Sequence, residues 1–474
     1  MGYFGYGRGA VGLVLLTVVL TIAAGCGEKP SESPSDQPKS AFHFVLAGSG
    51  LAKDGLWKGT PLFADFNADG FLDLAAMVRL GKGPHIWLGN GRGEWNDVSK
   101  GLAMSSSCGG GLAAGDINQD GHPDLAVADH CYGLVVYLGD GRGNMKQVAG
   151  PLNPAVATNL SESAQQERDF FTGSEDLALG DLNEDGFLDL VGSGTSQGGF
   201  TVYYGDGSGA NWREESEPDG LPSFQDPEPE DEENGGWANQ VLLYDMNRDG
   251  HLDVVASYYK GPGVWLGDGT GKFRPFSKGL PVPITGGLYR GIAVGDINED
   301  GRPDLVAMNR INGAEVYLQG KDGSWAIMPD FMPAIRGSYA VALGDFDRDG
   351  HLDLITSGRK SKDQGSIFGL FVCRGDGKGK FAPVEDSGLP SEGLATTWGI
   401  GVGDVNNDGL PDFALTTGGA VPGGPKSSRK PSLQGKKSRG EENQPTTGSP
   451  TPEHRYVDEL PLPRVQVWLN QSAR

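Results

Sequence analysis

Asp65-Phe66-Asn67-Ala68-Asp69-Gly70-Phe71-Leu72-Asp73 carries oxygen-bearing side chains at its first, third, fifth and ninth positions and glycine at its sixth. The same nine-residue pattern begins again at Asp116, Asp181, Asp245, Asp296, Asp345 and Asp404, and each copy runs into a short apolar stretch. Successive copies start 51, 65, 64, 51, 49 and 59 residues apart. The chain is therefore one supersecondary unit repeated seven times, with insertions between or within some copies.

These residue types, at this spacing, suit a hard divalent cation. Calcium takes six to eight oxygen ligands, and carboxylates at alternate positions of a tight loop supply them. In the first copy Asp65, Asn67 and Asp69 offer side-chain oxygens, Gly70 permits the sharp turn, Phe71 offers its backbone carbonyl and Asp73 closes the site. The corresponding sets are Asp116, Asn118, Asp120, His122 and Asp124; Asp181, Asn183, Asp185, Phe187 and Asp189; Asp245, Asn247, Asp249, His251 and Asp253. Three more follow: Asp296, Asn298, Asp300, Arg302 and Asp304; Asp345, Asp347, Asp349, His351 and Asp353; Asp404, Asn406, Asp408, Leu410 and Asp412. Only the backbone oxygen matters at the seventh position, so His122, His251 and His351 are not read as zinc ligands. An EF-hand would carry a bidentate Glu at position 12. Here that place holds Ala76, Val127, Gly192, Ala256, Ala307, Thr356 or Leu415, and strands are expected on both sides.

Asp-rich turns are good turns without any metal. Three acids within nine residues nevertheless repel one another unless a cation lies between them, and the crowding recurs in all seven copies. The sequence thus predicts about seven structural Ca²⁺ sites, filled at the calcium concentrations outside cells. The loops hold 22 aspartates, and seven divalent ions would bring the formal charge of -23 to about -9.

Each unit reads as four short strands. A small apolar stretch such as Leu112-Ala113-Ala114-Gly115 enters the Asp loop and a second, such as Leu125-Ala126-Val127-Ala128, leaves it. A third alternates, as in Val135-Val136-Tyr137-Leu138, and a Gly-Asp-Gly or Gly-Asn-Gly turn leads to a fourth that opens on an aromatic at Trp95, Trp212, Phe273, Trp325 and Phe381. Four short strands per unit of this length predict a propeller blade. The seventh unit stops at its third strand, Val465-Gln466-Val467-Trp468-Leu469-Asn470. Its missing fourth stands at the other end of the chain as Phe42-His43-Phe44-Val45. Sharing a blade between the two ends closes the ring and leaves no open sheet edge.

The units resemble FG-GAP/VCBS repeats, the calcium-bearing kind of integrin α-subunit propellers and many bacterial surface proteins, over essentially all of residues 42–474. The resemblance implies an all-β, seven-bladed β-propeller whose N-terminal strand completes the last blade, with bound metal. It does not imply a substrate.

The remaining composition bears on location and partners. Residues 1–25 read as a lipoprotein signal peptide: Arg8, then an apolar run from Val11 to Ala24 that is too short to span a bilayer, where about 20 residues are needed. Ala23-Ala24-Gly25-Cys26 resembles the bacterial lipobox, with Ala23 in place of the usual Leu, and predicts lipidation at Cys26. Residues 26–41 are then a polar Pro/Ser tether, and 42–474 the propeller. This places the protein in the bacterial cell envelope, on the membrane only through its lipid. The net charge of -23 argues against nucleic acid and anionic lipid as partners. An oxidising compartment permits one bridge among the remaining cysteines, and Cys108 with Cys131, at the two ends of one strand pair, are expected to form it; Cys373 is expected as a buried thiol.

In a four-stranded meander the Asp loops and Gly-Asp-Gly turns share one face. The long insertions, 153–174, 222–236 and about 418–463, fall on the other. Residues 226–233 form an acidic block, and residues 426–439 hold six basic side chains; both read as solvated, disordered segments. Trp57, Trp237, Tyr289, Tyr339 and Trp398 precede or open first strands, so they are expected near the mouth of the central channel on this same top face, where they would suit a sugar or a proline-rich peptide. The alternative is that they pack blade against blade. Gly194-Thr195-Ser196-Gln197-Gly198 matches G-x-S-x-G without the strand-to-helix turn a nucleophile elbow needs. Arg374-Gly375-Asp376 is part of a recurring turn, and His130 and His454 have no obvious acid partner in sequence. The expected function is a monomeric, calcium-stabilised adhesion or recognition module that binds a glycan, or an envelope or extracellular protein, through the top face. A lyase-like polysaccharide-active enzyme, marked by Lys, Arg and Tyr in the channel, and a structural scaffold of an envelope complex are the alternatives.

Overall fold

Short apolar stretches between Gly- and Asp-rich turns pair as antiparallel meanders, and in the computed structural model they form seven four-stranded sheets. The structure describes residues 42–102, 104, 107–152, 173–194, 199–222, 238–258, 261–281, 289–309, 312–329, 335, 339–359, 368–418 and 462–472. No helix occurs among them. Blade 1 is typical: Leu62–Ala64, Asp73–Met77, Pro84–Gly89 and Trp95–Asp97 follow one another in the sheet as in the chain. The Asp loop joins its first strand to its second, and the Gly-rich turn its third to its fourth.

Blade 7 departs from this order. Its strands Thr397–Gly403, Asp412–Thr417 and Val465–Asn470 are completed by Phe44–Leu46, which pairs with Phe44 opposite Asn470, Val45 opposite Leu469 and Leu46 opposite Trp468. The first strands of successive blades touch one another all the way round, blade 7 to blade 1 included. They form the inner wall of the ring.

The core is divided in the same way. Seven apolar clusters lie one at each junction between neighbouring blades, the seventh between blades 7 and 1. The second residue of every Asp loop is buried in the junction with the next blade: Phe66, Ile117, Leu182, Met246, Ile297, Phe346 and Val405. Each loop therefore anchors two sheets, because its apolar residue fills the junction while its ninth residue is buried at the start of its own blade's second strand. Loop geometry and blade packing are coupled through that one residue.

Cys108 and Cys131 form a disulfide across the top of blade 2, with Cα atoms 5.6 Å apart. Asp129, fully buried, organises both ends. Its Oδ2 accepts the Cys108 N–H at 2.9 Å and its Oδ1 the Cys131 N–H at 2.9 Å. The thiol of Cys373 is buried in the third strand of blade 6. Residues 1–41, with Cys26 and the leader, lie outside the described residues, as do Trp237 and most of the three insertions. Among the described residues no helix is long and apolar enough to cross a membrane.

Candidate metal loops and channel mouth

Six of the seven Asp loops share one hydrogen-bond pattern, and blade 6 keeps all of it but one bond. In blade 1, Asp65 accepts the Asp69 N–H at Oδ1 (3.1 Å) and the Gly70 N–H at Oδ2 (2.9 Å), and Asp69 Oδ1 accepts the Phe71 N–H (2.9 Å). Gly70 has φ +87°, yet a Cβ there would meet nothing within 4 Å. Backbone conformation alone demands glycine at this position. The ninth residue is the first of the second strand and is fully buried in every blade. Asp73 Oδ2 accepts the Phe66 N–H at 2.8 Å and Oδ1 the Gly89 N–H at 2.8 Å, so one carboxylate ties the loop to the third strand.

Burial, opposed by these backbone bonds and reinforced by the other loop acids, pushes the carboxyls of Asp73, Asp253, Asp304, Asp353 and Asp412 up to about 7 and that of Asp189 up to about 6. Asp124 is raised for the same reason. A carboxylate held in so poor a medium is stabilised by a nearby cation.

The blade 6 loop shows where that charge fits. Asp345, Asp347 and Asp353 each present a carboxylate oxygen within 4.8 Å of the others. Asp345 Oδ1 is buried and has no hydrogen-bond partner, whereas the same atom in blade 1 accepts a backbone N–H. A divalent cation satisfies such an atom. Calcium would be held there by these three carboxylates with Asp349 and the His351 carbonyl, and in the other loops by the matching residues. Blade 6 alone carries an acid, Asp347, at the third loop position, and Arg374 pairs with it and lies 4.0 Å from Asp349. The Arg of the Arg-Gly-Asp tripeptide thus serves its own blade.

The FG-GAP-like repeat profile matches residues 65–127, 116–191, 181–256, 245–307 and 296–356, most of the chain. The chain belongs to the FG-GAP-like repeat family. Such repeats often bind calcium, in keeping with the acidic cluster of blade 6. The phosphatidylinositol-glycan-specific phospholipase D of Rattus norvegicus is 34% identical over 232 residues, which are 45% of this chain and 23% of that protein. The match therefore takes in less than a quarter of that relative. Among solved structures, that of an Agrocybe aegerita lectin described as recognising non-reducing terminal N-acetylglucosamine is 18% identical, covering 75% of this chain and 95% of that one at a TM-score of 0.43. A Lactobacillus plantarum protein is 13% identical, with 73% and 88% covered at a TM-score of 0.45.

FG-GAP loops of neighbouring blades are also linked to one another through a residue that sequence reasoning overlooked. The fourth loop position is left-handed in every blade, although Ala68, Gln119, Glu184, Arg248, Glu299, Arg348 and Asn407 are not glycines; their φ values run from 56° to 61°. From this position each side chain except Ala68 reaches the next loop. Gln119 donates to the Gly186 carbonyl at 2.6 Å, Glu184 pairs with His251, Arg248 lies 3.8 Å from Asp296, and Glu299 pairs with His351. Arg348 donates to the Asp408 carbonyl at 2.6 Å, and Asn407 closes the circle on the Gly70 carbonyl at 2.8 Å. The hydrogen bond to Glu184 raises the His251 pKa above its ordinary value, and that to Glu299 does the same for His351.

The one gap in this circle leaves a trace. Opposite Ala68, His122 Nδ1 is buried with no partner. Glu adopts the required backbone at 184 and 299, so Ala68→Glu should complete the circle and raise stability by about 0.5 kcal/mol, the size of a surface ion pair. Urea unfolding of Ala68→Glu, His122→Ala and the double variant measures it. A gain that survives in the His122→Ala background would show that the missing link is not its cause.

At the opposite ends of the first strands, side chains from six blades converge on one cavity. It is lined by Lys58, Gly59 and Thr60 of blade 1, Glu175 and Asp176 of blade 3, Asn239 and Gln240 of blade 4, Arg290 of blade 5, Tyr339 of blade 6 and Trp398 of blade 7. Tyr339 and Trp398 stack face to face, with centroids 5.2 Å apart and planes 7° from parallel. The two other described aromatics of the expected set lie elsewhere. Trp57 is 3% exposed, packed on His85 and Trp87 with its Nε1 donating to the Asp54 carbonyl at 2.9 Å. Tyr289 is equally buried and donates its hydroxyl to Glu315. Their rings fill blade interiors because they precede a buried strand position; the residues after them, Lys58 and Arg290, face the cavity instead.

His130 does have an acid partner. Glu175, 5% exposed, accepts from Lys58 Nζ at 2.7 Å and pairs with His130 Nδ1 at 2.7 Å. Burial would raise the Glu175 carboxyl, but the Lys58 ammonium and the hydrogen bond to His130 hold it well below the usual carboxylate range. Burial pushes Asp176 up to about 7 against the Val241 N–H that it accepts at 2.9 Å. A Cβ on Gly111 would sit 1.6 Å from Asp176 Oδ1, so glycine there is what lets blade 2 close on blade 3.

Proposed function

We propose that this chain is an extracytoplasmic binding module of the bacterial envelope, carried on lipidated Cys26, stabilised by seven calcium ions and recognising a glycan or a protein through the channel mouth. What supports the ligand face is one observation: the Tyr339–Trp398 stack and a set of charged and amide groups meet at the end of the first strands opposite the Asp loops. Convergent polar groups beside aromatic surface on a rigid scaffold are the usual makings of a ligand site. The calcium loops set the spacing of the blades and hence of the mouth; they do not touch the ligand.

The test is capture in calcium buffer, from envelope extract and on a glycan array, by the wild type, by Trp398→Ala and by a variant lacking residues 222–236 and 420–455. Ligands should be lost from Trp398→Ala at unchanged melting temperature. Full retention by both variants would move the ligand face elsewhere. Cys26→Ala should release the protein from membranes to the soluble fraction.

A second reading, cleavage of an acidic polysaccharide, is favoured by the Lys58, Arg290 and Tyr339 grouping in the same cavity. Turnover of uronate polymers by the purified protein, abolished in Tyr339→Phe, would establish it.

A further inference from the structure

The chain carries 62 acidic against 39 basic side chains, yet at the channel mouth it is cations that lack partners. The Arg290 guanidinium lies 5.2 Å from the Tyr339 centroid and 5.6 Å from that of Trp398, and the Arg79 guanidinium lies 5.4 Å from Trp398. Neither guanidinium forms an ion pair among the described residues, although two carboxylates line the same cavity. Those acids are already engaged: Glu175 by Lys58 and His130, Asp176 by the Val241 N–H.

Three buried atoms are left over. Arg290 Nε and Trp398 Nε1 have no acceptor and Asn239 Oδ1 has no donor, and all three residues line the cavity. Buried polar atoms in native proteins are nearly always hydrogen-bonded, to protein, to water or to a ligand, so a ligand seated here would meet these atoms. The ligand must therefore bring an acceptor for a guanidinium, which a carboxylate does best because it meets the planar fork with two oxygens. It must also bring a donor for an amide oxygen, and a flat apolar face for the aromatic stack. The cavity itself is about 30 Å³, room for the edge of a ring rather than a whole sugar.

A sugar acid carries a carboxylate, neighbouring hydroxyls and a C–H face on one ring. Acidic peptide side chains supply only the first. Resting on the mouth as the ligand face, we infer that the site binds a hexuronate unit of an acidic polysaccharide, with its carboxylate on Arg290, a ring hydroxyl on Asn239 Oδ1 and its edge against Trp398.

The test is calorimetric titration of the calcium-loaded full chain, at matched free calcium, with a galacturonate trisaccharide, its carboxyl-reduced neutral counterpart and a glutamate peptide of equal charge. The uronate should bind at least tenfold more tightly than either of the others. Arg290→Met should weaken it tenfold or more, and Arg290→Lys, which keeps the charge but not the fork, by an intermediate factor. Equal affinity for the charged and neutral sugars, a peptide that binds as well as the uronate, no uronate binding at all, or an unchanged affinity in a folded Arg290→Met would each overturn the inference. The first comparison needs no variant, so it stands even where a substitution unfolds the protein. A neutral glycan or a protein lost on Trp398→Ala would leave the ligand face intact while removing the uronate; ligands indifferent to Trp398→Ala would remove both.

Discussion

Excess EDTA should lower the thermal midpoint of this protein by between about 6 and 15 °C. The loops crowd acids together, and among the described residues only the loop aspartates of blades 5 and 6 meet a cationic side chain; the ninth residue of each loop is fully buried, and burial pushes most of these carboxyls up to about 7. Extracellular calcium modules have dissociation constants on the order of 10⁻⁴ to 10⁻³ M. At about 2 mM free calcium each site then stabilises the folded state by roughly 0.6 to 1.8 kcal/mol. Seven such sites contribute on the order of 5 to 12 kcal/mol. The unfolding entropy of a chain this long is on the order of 0.8 kcal/mol/K, which converts that contribution into the stated shift. Calorimetric scans in calcium and in EDTA measure it. An unchanged midpoint would mean that the loops are only turns and that the family's calcium is absent from this member.

Blade count, ring closure and the placement of the loops were legible because each rests on local pattern. Strand alternation, Gly turns and the nine-residue motif depend on neighbours in sequence, and the split seventh blade is visible by matching Phe42-His43-Phe44-Val45 to its counterpart Phe381-Ala382-Pro383-Val384. What stayed hidden is long-range. Glu175 meets Lys58 from 117 residues away and His130 from 45, so nothing in sequence pairs them. The left-handed fourth loop position had no residue signature either, because Ala, Gln, Glu, Arg and Asn all occupy it. Trp57 and Tyr289 carried the same positional signal as Trp398, yet a shift of one residue along a strand exchanges its two faces. That shift buried the two rings and turned Lys58 and Arg290 toward the cavity. In these two blades the residue after the aromatic, not the aromatic itself, marks the cavity.

Phe44→Ala should destabilise the protein by about 3 to 5 kcal/mol, the usual cost of emptying a buried aromatic site, while Val45→Ala beside it should cost less than about 0.5 kcal/mol. The two residues alternate on one short strand. Phe44 is 2% exposed and sits edge-on between Phe346 of blade 6, at 6.0 Å, and Phe413 of blade 7, at 5.3 Å; Val45 is 37% exposed. Backbone pairing to Val465–Asn470 is untouched by either substitution, so the difference isolates the side chain that locks the N-terminal strand to the last two blades. Ring closure concentrates this dependence, because Phe44–Leu46 is a strand of only three residues and its sheet joins the first and last described strands. If it detaches, Val465–Asn470 becomes the edge of blade 7 and the aromatic cluster at the junction of blades 6 and 7 is exposed to water. Urea unfolding of the two variants in calcium decides the matter: similar small costs for both would mean that the ring stays shut without this strand, and that the junction between blades 7 and 1 is strong enough on its own.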